Sequence, residues 1–106
     1  MKTKDIYDTT TDDPQLKDKA ITIGKVMVTP GLQENVEREE FVEALGRHEN
    51  RDWGEVGAED WEANEQALIH GNRLFSVYVS QSTGTRFWII TEADRSVTTG
   101  LLPTEY

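Results

Sequence analysis

The chain predicts an α+β fold. An antiparallel sheet of three to four strands, ending in a three-stranded meander, carries two to three helices packed on one face. Residues 74–102 alternate apolar and polar side chains in three short runs joined by tight turns. Two stretches, Leu32 to His48 and Ala58 to His70, have helix-forming composition and helical spacing. A run rich in β-branched residues precedes them, from Ala20 to Thr29. Helices on one face of such a sheet bury both sets of apolar stripes in the simplest way.

Residues 1–19 read as a flexible polar and acidic tail, because Thr9 to Pro14 is a turn composition and apolar residues are sparse. A single domain is therefore expected over residues 20–106. Ile21, Ile23, Val26, Met27 and Val28 form the first strand, and Thr29-Pro30-Gly31 ends it. Gly24 falls where the apolar phase slips, so a bulge or strand break is expected there. In the first helical stretch the step from Val36 to Phe41 is five residues, out of phase for one straight helix. Two short helices, or a kink near Glu37 and Arg38, are expected, with Gly46 and Asn50 as the stop.

Arg51 to Gly57 reads as a loop. The second helix starts with Glu59 and Asp60 at its positive end, presents a stripe through Trp61, Asn64 or Glu65, and Leu68, with Ala63 and Ala67 beside it, and stops at Gly71 after His70. Leu74 to Ser80, Thr85 to Glu92 and Ser96 to Leu102 are the meander strands, and Pro103 ends the last. Both faces of this sheet carry large apolar groups, so one face is expected to be partly covered or to meet a second copy.

Composition excludes several functions. The chain has no cysteine, which removes disulfides and thiolate metal sites. No stretch reaches the roughly 20 apolar residues a bilayer span needs, and Met1 to Asp5 lacks an apolar signal region. A cytoplasmic protein with no cofactor and no membrane partner is the expectation. A sequence pI near 4.6 argues against unaided binding of nucleic acid. No P-loop, dinucleotide glycine motif, metal-binding helix or calcium loop is present.

The whole formal charge of −9 sits in residues 34–65. Twelve acids there face three bases, Arg38, Arg47 and Arg51, and the remaining acids and bases balance. Glu34, Glu37, Glu40, Glu43, Glu55, Glu59, Glu62 and Glu65 are the candidate partner-binding residues of an acidic helical face, suited to a basic protein surface. Carboxylates at helical spacing can also copy a row of phosphates, as a DNA mimic would. A second candidate is a ligand or enzyme site built from Glu92, Asp94 and Arg95, with His48 and Asp52 contributing. The competing account makes Asp94 a turn residue, Arg95 a partner of an acid, and His48 a cation at a helix C-terminus. Trp53, Trp61 and Trp88 read as core or interface anchors, and an exposed one would be an interface candidate. A structural homodimer formed through the less covered sheet face is the third possibility.

Thr29-Pro30-Gly31, Arg47-His48, Asp52-Trp53-Gly54, Ala67-Leu68 and Gly71 lead into Phe87-Trp88-Ile89-Ile90-Thr91-Glu92-Ala93-Asp94-Arg95-Ser96-Val97-Thr98-Thr99. Leu101-Leu102-Pro103 and Glu105-Tyr106 follow. In this pattern the chain resembles the small uncharacterised plasmid-related proteins of bacterial plasmids, phages and integrated elements, over roughly residues 24–106. The resemblance implies a bacterial, intracellular, mobile-element setting and carries over no catalytic residue.

Overall fold

In the computed structural model, which describes residues 20–106, the chain runs through β1 (Lys25–Val28), α1 (Pro30–Asn35), α2 (Arg38–Glu49), α3 (Ala58–His70), β2 (Leu74–Val79), β3 (Arg86–Thr91) and β4 (Val97–Leu101). A 3₁₀ turn at Pro103–Glu105 follows. The tail expected over residues 1–19 lies outside the described residues.

The four strands form one sheet in the order β1–β4–β3–β2. The meander is antiparallel as expected, with Tyr78 opposite Phe87, Ser76 opposite Ile89 and Thr91 opposite Thr98. The expectation of a wholly antiparallel sheet is corrected at β1. It pairs with β4 in parallel, from Lys25 beside Val97 to Val28 beside Gly100. The helices carry the chain from β1 to the far edge at β2, and the meander then walks back until its last strand lies beside the first.

β1 is shorter than the expected run from Ala20. Gly24 takes φ +62°, and a Cβ there would lie 2.3 Å from the Ser96 carbonyl oxygen. That close approach breaks the strand where the apolar phase slipped. The helical break is also present: Val36 and Glu37 are extended between α1 and α2 (ψ 128° and 142°). The break rephases the chain so that Leu32, Val36, Phe41 and Ala44 all reach the sheet and cluster with Tyr78, Phe87 and Ile89. Gly46 does not stop α2, which runs on to Glu49 before Asn50 caps it. In α3 Asn64 and Ala67 are buried and Leu68 packs partly buried against the core as expected, while Trp61, expected on the same stripe, is exposed.

A second cluster joins Trp53, Ala67 and Leu74. On the opposite sheet face Trp88 meets Phe75 and Tyr106 edge-on, at ring separations of 5.0 and 5.5 Å. Val77, Ile90 and Leu101 on that face are buried.

The outer edge of β2 is closed at Phe75 and Val77. Asn64 accepts a hydrogen bond from the Phe75 N–H (3.0 Å) and donates to the Phe75 carbonyl (2.7 Å). Two residues on, Val77 N–H donates to the Trp53 carbonyl (3.1 Å), and Glu55 N–H donates to the Val77 carbonyl (2.7 Å). A side-chain amide and a loop thus take the place of another strand.

Candidate functional site

The side chains of the five residues of the ligand-site reading are engaged with different partners, and only Arg95 and the Glu92 carbonyl bond each other. Glu92 pairs with Arg73 (3.4 Å). Asp94 accepts hydrogen bonds from the Ser96 hydroxyl (2.6 Å) and N–H (3.0 Å), which hold its carboxyl below the usual carboxylate range. Arg95, at φ +63°, spends its guanidinium on backbone carbonyls. It donates to Asn72 (2.6 Å), Glu92 (3.1 Å), Ala93 (3.2 Å) and Ala67 (3.3 Å). It therefore neutralises the negative end of α3, where an acid partner was expected. Asp52 binds Arg47 (2.8 Å), and that bond holds its carboxyl below the usual range. No anion clamp is assembled from these groups.

His48 departs most from expectation. The residue anticipated as a cation at a helix end is fully buried between α2 and the sheet. Its Nδ1 lies 2.6 Å from Ser76 Oγ and its Nε2 lies 2.8 Å from Thr91 Oγ1. Thr91 Oγ1 is 2.7 Å from Thr98 Oγ1, and Thr98 donates to the Ile23 carbonyl (2.7 Å). That last bond, with the neutrality that burial imposes on the ring, sets every other direction. A carbonyl only accepts, so the Thr98 proton is committed to Ile23. Thr98 must then accept from Thr91, Thr91 from His48 Nε2–H, and His48 Nδ1 accepts from Ser76. The ring is the neutral Nε2–H tautomer. Burial, reinforced by the charge of Arg95, lowers its pKa to about 4.

Ser76, His48, Thr91 and Thr98 are all sealed from solvent. The chain of hydroxyls and imidazole ties β2, β3, β4 and the segment before β1 together beneath α2. It is a structural network, because no substrate reaches it. Sequence reasoning missed it, although a signal was present. Ser76 shares strand parity with Leu74 and Tyr78, and Thr91 with Phe87 and Ile89, so polar groups stood at core positions.

The acidic segment divides into committed and uncommitted carboxylates. Glu40 accepts from Ser80 Oγ, Ser82 N–H (3.0 Å) and Ser82 Oγ (3.1 Å), clamping the β2–β3 hairpin to α2. The Ser80 bond, foremost among these, holds its carboxyl below the usual range. Glu65 binds Arg51 and accepts from Trp53 Nε1 (2.9 Å). Burial pushes Glu65 up, and these bonds outweigh it, so its carboxyl titrates below the usual range. Glu55 pairs with Arg86 (3.7 Å), and Glu62 accepts only from Gln66 (3.0 Å). Among the described residues, Glu34, Glu37, Glu39, Glu43, Glu49, Glu59 and Asp60 have no side-chain hydrogen bond or ion pair.

Among the described residues no group of three or more His, Cys, Asp or Glu side chains is placed to hold a metal ion, and no helix is long and apolar enough to cross a membrane. Comparison of the chain with protein-family models, curated proteins and solved structures gave no match.

Proposed function

We propose that this protein is a non-enzymatic accessory protein of a mobile element that uses its acidic helices to bind a basic protein surface, in the manner of a DNA mimic. The observation that carries the reading is the set of carboxylates on α2 and α3 left without internal partners among the described residues, Glu39, Glu59 and Asp60 foremost. Uncompensated like charges in one segment cost stability through mutual repulsion, and lysines or arginines of a partner would relieve that cost. Glu40, Glu55 and Glu65 drop from the binding set, because each already serves an internal contact. The resemblance to plasmid-related proteins supplies the mobile-element setting.

The test is affinity capture from a bacterial extract with the wild-type chain and with an E39Q/E43Q/E59Q/D60N variant. The wild type is expected to retain basic DNA-binding proteins that duplex DNA displaces, and to release them as salt rises from about 50 to 200 mM. The variant is expected to retain few of them. Equal retention by the two proteins, or retention insensitive to salt, overturns the reading.

A further inference from the structure

The two edges of the sheet are finished differently. At β2, Asn64 and the segment from Trp53 to Glu55 satisfy the outward main-chain groups of Phe75 and Val77. At β1, Lys25 N–H and Thr29 N–H donate inward to Ser96 and Gly100 of the β4 side, at 2.9 and 3.0 Å. Strand alternation therefore turns the N–H and carbonyl groups of Val26 and Val28 outward, and nothing among the described residues covers them. Beside this open edge lies a groove of about 470 Å³ between β1 and the helices, lined by Val28, Leu32, Val36, Phe41, Val42 and Arg38. Val26, Met27 and Val42 are 40, 48 and 57 % exposed, so apolar surface flanks an unpaired strand.

Charge selects the occupant. Of the lysines and arginines among the described residues, Arg47, Arg51, Arg73, Arg86 and Arg95 all have hydrogen-bond or ion-pair partners. Lys25 and Arg38 have none, and they mark this patch, Lys25 opening β1 and Arg38 lining the groove. The unpartnered Glu34 and Glu37 are sequence neighbours of groove residues. A patch with both signs around an apolar centre complements itself under two-fold rotation. A basic peptide would be repelled by Lys25 and Arg38, and an acidic one by Glu34 and Glu37.

We propose that β1 is an assembly edge at which a second copy of this chain pairs its own β1 antiparallel, joining two four-stranded sheets into one. Val26 of each copy faces Val28 of the other, Met27 meets Met27 at the axis, and about four main-chain hydrogen bonds form. Each groove is closed by the opposing copy. This interface shares α2 with the acidic surface, through Arg38, Phe41 and Val42, but uses none of Glu39, Glu43, Glu59 and Asp60.

Sedimentation equilibrium of the full chain over a concentration series tests the assembly. The expected mass at the upper concentrations is twice 12.1 kDa. Val26→Pro removes one outward N–H and leaves the β4 pairing intact, and Val42→Glu puts a carboxylate into the groove at an exposed position. Each is expected to weaken the dimer about tenfold or more, with an unchanged far-UV circular dichroism spectrum. Should Val26→Pro disturb the fold, Val42→Glu decides alone. A wild-type monomer at every concentration overturns the proposal, and so does a dimer that withstands the substitutions. The E39Q/E43Q/E59Q/D60N variant is expected to dimerise as the wild type does, so failure of the acidic-face reading and failure of this one are distinguishable.

Discussion

A buried imidazole stays in a core only if both ring nitrogens are satisfied, and at His48 two hydroxyls satisfy them. Its protonation would leave an imidazolium without a counter-charge in a site where Arg95 already disfavours it. The folded pKa is lowered from 6.5 to about 4, so the unfolded chain takes up the proton first as pH falls. The stability that His48 contributes is complete above pH 6.5 and is lost progressively as pH falls toward 4. The total loss is about 3 kcal/mol, from 1.36 kcal/mol per pKa unit. Urea unfolding midpoints measured between pH 7 and 4 are expected to fall steeply. The fall should be clearly shallower in His48→Gln, which starts from a lower stability because the hydroxyls lose their ring partner. Parallel pH profiles for the two proteins would remove His48 as the cause. The ring was visible in the sequence, but its charge state was not. A histidine near a helix end is solvated or buried according to what the sheet places opposite it.

At the scale of elements, most boundaries were legible because their causes are local. The five-residue step from Val36 to Phe41 announced the break between α1 and α2, and Gly71, at φ +74°, ends α3 where expected. The stop at Gly46 failed because that glycine sits inside α2 with a helical neighbour on each side, and helix packing overrides its propensity cost of about 1 kcal/mol. The role of Asn64 could not be read from α3 alone, since its partner is the backbone of Phe75 on another element. Asn64→Ala is expected to cost about 1–3 kcal/mol by stranding a part-buried N–H and carbonyl of Phe75. Amide hydrogen exchange at Phe75 should quicken in the variant well beyond that at Ser76, whose place in the β3 register is unaffected. Equal protection of Phe75 in the two proteins would show that the side chain does not close the edge.

At the scale of the whole molecule, two electrostatic effects oppose each other as salt is added. The ion pairs Arg47–Asp52, Arg51–Glu65, Arg73–Glu92 and Arg86–Glu55 are partly or largely exposed and contribute roughly 0–1 kcal/mol each. Against them stands the net −9 of residues 34–65, much of it on carboxylates with no internal partner. Repulsion dominates, so screening is expected to stabilise the fold. The thermal midpoint should rise between roughly 10 and 150 mM salt, as the Debye length shrinks from about 30 to 8 Å. A midpoint that falls would mean that the ion pairs outweigh the repulsion.

By itself the sequence determined the α+β class, the meander, the split helix and the location of the charge, because periodicity, turn chemistry and composition act over a few residues. Tertiary structure alone decided the parallel seating of β1 on β4, the neutral state of His48, the Glu92–Arg73 pair and the turn of the Arg95 guanidinium onto the end of α3. It also decided which carboxylates are committed and which sheet edge stays open. Most of these depend on groups far apart in the chain. Strand pairing and burial are settled by long-range packing, which no local pattern encodes.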